Sequence, residues 1–222
     1  MTAPPPVLPE HTHWMRHALT LAHRAATEFD EIPVGAVLIS PEGTLLGEGC
    51  NYNITSHDPS AHAEIMALRA AGHQLRNHRM PGCTLYVTLE PCLMCAMAII
   101  HARIAHLIYA AADPKTGACG STFDILNDPR HNHHVHVYGG LLAEEASRRL
   151  TNYFRTKRGQ PPLPQYPPLP LRDSTTNHPI HHNTASIPRS NTPPPPTRTY
   201  IPDLATTHLP ETKHTRPRNC GA

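Results

Sequence analysis

Apolar residues along this chain fall into short runs with two periods. Trp14, Ala18, Leu21, Ala22 and Ala25 recur at helical spacing and predict a helix over residues 11–28 with one apolar face. Pro33 ends anything helical. Val34 to Ile39 then runs apolar without a break, as a buried strand does. Pro41-Glu42-Gly43 is a turn, and Leu45 to Asn51 returns as a second strand, which makes the pair a hairpin. Thr84–Leu89, Ile104–Ala110 and His134–Tyr138 read as three more strands. Between them, Asp58-Pro59-Ser60 starts a helix over Ala61–Ala71, with Asp58 or Ser60 as cap and Gly72 as its end. Glu90-Pro91 opens another helix. Leu142, Ala146, Leu150, Tyr153 and Phe154 line a last amphipathic one, stopped by Gly159 and Pro161-Pro162. Strands alternating with helices predict a three-layer α/β/α domain. Its sheet is five-stranded and mixed, the first two strands antiparallel.

The periodicity stops at Gly159, and composition shifts there. The chain has 222 residues and 26 prolines, and 15 of those prolines lie in the last 64 residues. Such a segment buries too little apolar surface to offset its ordering entropy. Residues 1–10 are therefore expected to be a flexible N-terminus. Residues 11–158 are the folded domain, and 159–222 a Pro-rich disordered tail. Charge divides at the same place. The whole chain carries +2, of which the tail supplies +3, leaving about −1 for the rest. Affinity for nucleic acid in the folded part must then come from a local patch. Met1–Glu10 has neither the basic nor the apolar region of a secretory signal, and no run is long enough to span a membrane. Of six cysteines, four have no disulfide-framework spacing. A reducing cytoplasm is the expected location.

The chemistry lies in two stretches. His62-Ala63-Glu64 reads H-x-E, and Pro91-Cys92-Leu93-Met94-Cys95 reads P-C-x-x-C, with 26 residues between Glu64 and Pro91. A C-x-x-C alone is compatible with a redox pair or a structural half-site. Joined to H-x-E and Pro91, it points to a zinc centre with His62, Cys92 and Cys95 as ligands and a fourth position open to water. Glu64 sits beside the ligands without being one, where a proton shuttle belongs. Each stretch opens a helix, and the partial positive charge of a helix N-terminus favours thiolate over thiol.

These residues closely resemble the bacterial tRNA-specific adenosine deaminase family, a branch of the cytidine deaminase-like fold. The matching segments are Trp14 to Leu19, Pro33 to Val37, His57 to Leu68, Thr84 to Cys92 and Lys115-Thr116-Gly117, all within residues 11–158. The resemblance implies a hydrolase acting on a C–N bond of a cyclic amidine, with one zinc per subunit. The substrate it implies is the wobble adenosine (position 34) of tRNA, most often tRNA-Arg, converted to inosine in the anticodon stem-loop by a homodimer. It implies that Asn51 contacts the extruded base, and that backbone groups of Ala63 and Cys92 meet the base and the attacking oxygen. Asp113 and Lys115 would lie against anticodon nucleotides, Asp113 near a ribose. The basic end of the last helix, Arg155 to Arg158, would meet phosphates.

The chain departs from that pattern in places. Ala112 stands where many relatives carry Arg, Pro114 stiffens the loop, and Cys119 replaces a small residue and is read as packing. The His131-to-His136 cluster is read as a polar lead into a strand. Two other functions share the zinc motif. One is a deaminase of free bases or nucleotides. The other is a silent RNA-binding subunit, against which the intact Glu64 argues.

Overall fold

A computed structural model describes residues 9–164. The element order is α1 (Pro9–Glu28), β1 (Gly35–Ile39), β2 (Leu45–Cys50), α2 (Asn53–Ser56), α3 (Ala63–Leu75), β3 (Thr84–Leu89), α4 (Leu93–His101), β4 (His106–Ala111), β5 (His136–Gly139) and α5 (Ala143–Lys157). The five strands form one sheet in the order β2-β1-β3-β4-β5. β1 is antiparallel to β2 and to β3, while β3, β4 and β5 run parallel. This is the mixed five-stranded sheet that the pattern predicts. The proposed tail falls almost wholly outside the described residues.

Alternation along the strands builds two cores. Ala36, Leu38, Leu85, Val87 and Leu107 face Ala67, Ala71, Ala96 and Ile99 of α3 and α4. Val37, Ile39, Tyr86 and Ile108 face Met15, Ala18 and Leu19 of α1 and Ala146 of α5. Side chains of period two feed both faces of a covered sheet, so the domain has three layers. β2 brings α3 very close. A Cβ on Gly49 would lie 2.5 Å from Met66 Cβ and 2.7 Å from Ala63 O. Only glycine admits that approach, and it sets the start of α3 against the end of β2.

Helix boundaries differ from those the sequence predicts. α3 passes through Gly72 and ends at Leu75; Arg76 is its C-cap, with a left-handed φ of 50° and its N–H still bonded to Gly72 O. Glycine inside a helix costs only about 1 kcal/mol against alanine, so one glycine need not end it. Neither Asp58 nor Ser60 caps α3. Asp58 Oδ1 accepts from the Ser60 N–H and hydroxyl and shapes the preceding turn; His62 is the N-cap. α4 does not open at Glu90-Pro91. The Glu90 N–H still pairs with Ala111 O, and Cys92 is the N-cap.

The parallel strands β3 and β4 end at Leu89 and Ala111. β2 ends and antiparallel β1 begins at the same edge, where Asn51 N–H bonds Val34 O. Open α/β sheets place ligands at the C-terminal ends of their parallel strands.

Candidate active site

Two helix starts meet at this edge. His62 caps α3 and Cys92 caps α4, both with extended backbone, and Cys95 follows one turn into α4. His62 Nδ1 lies 3.7 Å from Cys92 Sγ and 3.5 Å from Cys95 Sγ. A tetrahedral zinc with Zn–S near 2.3 Å and Zn–N near 2.0–2.1 Å separates sulfur from nitrogen by about 3.6 Å. The three donors therefore fit zinc at their present spacing, and they are the one such cluster among the described residues. Cys119 stays out of it. It is buried in the core, and burial pushes its thiol pKa up. The His131–His136 segment forms no second cluster; His133 Nε2 meets Ile104 O at 2.7 Å.

The electrostatics suit a soft cation. A hydrogen bond from Cys95 holds the Cys92 thiol down at about 4, against the opposing effect of burial. The same bond and burial push Cys95 up. A dication held by both sulfurs would replace that shared proton. Glu64 is almost fully buried beside them, and burial pushes its carboxyl up to about 7, while its own hydrogen bonds and His62 pull it back. A carboxyl balanced near neutrality can take a proton and return it.

The cluster opens into a cleft of about 950 Å³. Asn51, His62, Glu64 and Cys92 form one part of its wall, Asp113 and Lys115 another, and Leu150, Phe154 and Arg158 of α5 a third. Asn51 is buried, and its Oδ1 accepts the Ala63 N–H at 2.9 Å. That bond leaves Nδ2 as the donor Asn51 offers a ligand. It also engages the Ala63 N–H. Asp113 uses both carboxylate oxygens within its own loop. Oδ1 accepts from the Lys115 and Thr116 N–H groups, and Oδ2 from the Thr116 hydroxyl at 2.6 Å. Arg155 does not line the cleft; its Nε donates to Pro161 O at 2.7 Å. Arg158 takes that place.

Sequence reasoning missed Glu90 as a site residue. It is 2% exposed and accepts hydrogen bonds from three residues of the 113–121 loop. A carboxylate ending an otherwise apolar strand, just before Pro91-Cys92, was the available signal. Glu31 was also missed. It is buried, lines the cleft and accepts the Thr55 N–H at 2.8 Å; nothing in its local sequence marks it.

A covered mixed sheet with a His/Cys/Cys set at two helix starts defines a deaminase of the cytidine deaminase class. The model of the cytidine and deoxycytidylate deaminase zinc-binding region matches residues 8–111. A tRNA-specific adenosine deaminase of Haemophilus influenzae is 50% identical over 144 residues, 65% of this chain and 83% of that protein. That of Agrobacterium fabrum is 46% identical over 149 residues, covering 67% of this chain and 97% of the relative. The solved structure of a tRNA:A34 deaminase, studied for A-to-I editing at the wobble position, superposes with TM-score 0.59 at 45% identity. It covers 63% of this chain and 99% of the other. The chain belongs to the tRNA-specific adenosine deaminase family. Among the described residues no helix is long and apolar enough to cross a membrane.

Proposed function

We propose that this protein hydrolyses the 6-amino group of the wobble adenosine in a tRNA anticodon, giving inosine, with tRNA-Arg as substrate. One zinc per subunit, a homodimer and a cytoplasmic location complete the reading. The observation that carries it is the His62/Cys92/Cys95 cluster with buried Glu64 beside it, at the floor of a cleft walled by a loop and α5.

His62 Nδ1 and the two sulfurs would hold the metal. Bound there, zinc supplies Lewis acidity that makes water a nucleophile near neutral pH. Glu64 receives the water's first proton and passes it to ring N1 as C6 is attacked; it then takes the remaining hydroxyl proton and gives it to the 6-amino group, so that the C6–N bond breaks and ammonia leaves. Asn51 Nδ2 orients the base. Leu150 and Phe154 offer apolar surface that excludes water from the base. Lys115 and Arg158, on two walls of the cleft, meet phosphates. An anticodon base already sits in a loop, so extruding it costs less than from a duplex.

The test is incubation of the zinc-loaded protein with tRNA-Arg carrying A34, followed by nucleoside analysis for inosine. Turnover of a free purine or mononucleotide with none of the anticodon stem-loop would overturn the substrate and leave the metal chemistry standing.

A further inference from the structure

Glu90 does more than close strand β3. Its Oε1 accepts the Cys119 N–H at 2.9 Å and the Ser121 N–H at 3.1 Å. Its Oε2 accepts the Asp113 N–H at 3.0 Å and the Ser121 hydroxyl. A carboxylate has about four lone-pair sites, so the loop fills them and none is left for a ligand. All four bonds run from loop donors into Glu90. Neither oxygen can therefore become an NH₂ group without facing a donor.

The loop is also pressed onto the turn that carries Cys92. The Ala118 N–H bonds Pro91 O at 2.8 Å, and Gly117 forms a β-bridge with Cys92. A Cβ on Gly117 would stand 2.5 Å from Glu90 Cδ and 2.6 Å from Asp113 O. Glycine is required there because the carboxylate fills the space a side chain needs.

We infer that Glu90 is a positioning residue: it pins the 113–121 loop to the Cys92 turn and so fixes the loop wall of the cleft relative to the metal ligands. The inference rests on the proposed function where it says what the pinned wall binds. The buried carboxylate, by its shape and acceptor pattern, then sets how well the anticodon loop is gripped, while the chemistry of a bound base is left to Glu64.

Glu90→Gln tests this in the zinc-loaded protein, read by hydrogen exchange, zinc content and steady-state kinetics on an A34 anticodon stem-loop. The amides that face the new NH₂ group, either Cys119 and Ser121 on the Oε1 side or Asp113 on the Oε2 side, should exchange about tenfold faster or more, while amides of Thr84–Leu89 keep their protection. KM should rise about tenfold or more with kcat changed by less than about threefold and zinc retained. Unchanged exchange in the loop, or a fall in kcat with KM unchanged, overturns the assignment. Should Glu90→Gln not fold, Gly117→Ala displaces the same loop from the other side. It must raise KM likewise, and an unchanged KM there also overturns it. If the wild-type protein fails to turn over the stem-loop, the substrate reading falls, and the exchange measurement still decides whether Glu90 pins the loop.

Discussion

Asn51 Oδ1 accepts the Ala63 N–H at 2.9 Å, so a side chain at the end of β2 caps the helix that carries Glu64. His62 occupies the N-cap position but gives no side-chain cap, because its Nδ1 faces the two sulfurs. The helix thus borrows its cap from a residue twelve positions earlier, and the borrowing frees the imidazole for metal.

That double duty predicts a separation of effects at Asn51. Asn51→Ala loses both the cap and the Nδ2 donor. It should cost about 1–2 kcal/mol of stability and abolish deamination. Asn51→Asp keeps an acceptor for Ala63 N–H, favoured by the helix N-terminus, and loses only the donor. Its unfolding midpoint should stay near that of the wild type while activity falls about a hundredfold, the effect of losing one polar contact to the reacting base. Equal activity in the aspartate variant and the wild type would remove Asn51 from base recognition.

At the metal the predictions divide by role. Glu64→Gln should retain zinc, measured by metal analysis, and lose about 10²–10⁴-fold in kcat. Cys92→Ala should lose zinc and unfold more readily, because metal binding is coupled to the fold of both helix starts. Zinc loss from Glu64→Gln would make Glu64 a ligand and refute the proton-shuttle role.

The end of the domain gives a third expectation. Beyond α5 the chain turns back: Leu163 N–H bonds Asn152 Oδ1 at 2.7 Å, Arg155 reaches Pro161 O, and Arg148 reaches Pro164 O. These bonds engage Arg148, Asn152 and Arg155, which do not line the cleft, whereas Leu150, Phe154 and Arg158 do. A protein ending at Pro164 should fold and deaminate a stem-loop within a few-fold of the full chain. One ending at Arg158 loses all three bonds, each worth about 0.5–1.5 kcal/mol. Its kcat/KM should fall about tenfold, through KM. Equal kcat/KM for the two would show that the returning segment does nothing for the cleft.

How far the sequence reveals this site depends on the kind of relation. The His62/Cys92/Cys95 cluster is legible because thiolates and imidazoles able to hold zinc must recur at fixed spacings. The sheet is legible because Val34–Ile39 and Thr84–Leu89 are apolar runs bounded by breakers. Long-range polar partners leave no such trace. Glu90 meets Ser121 across 31 positions and Asn51 meets Ala63 across 12, and only the folded sheet edge brings each pair together. The end of α3 is not legible either: Gly72 reads as a stop, yet Leu75 follows within the helix.

The α5 terminus shows the same limit and carries the last prediction. Arg155, Lys157 and Arg158 look alike in sequence, but three different surroundings take them. Arg155 serves the returning segment, Lys157 pairs with Asp30 at 2.5 Å, and Arg158 lines the cleft opposite the loop that holds Lys115. If the anticodon backbone lies between Arg158 and Lys115, each neutralises about one phosphate. The plot of log Kd for a stem-loop against log salt then carries a contribution from each. Arg158→Ala and Lys115→Ala should each weaken binding and reduce the magnitude of that slope by roughly 0.7–0.9, the value for one phosphate contact. Arg155→Ala removes a bond to Pro161 O and no cleft-lining cation, so its slope should match the wild type. A slope lowered by Arg155→Ala and untouched by Arg158→Ala would mean that the RNA approaches α5 from its other face, and the path assigned to the anticodon would have to be abandoned.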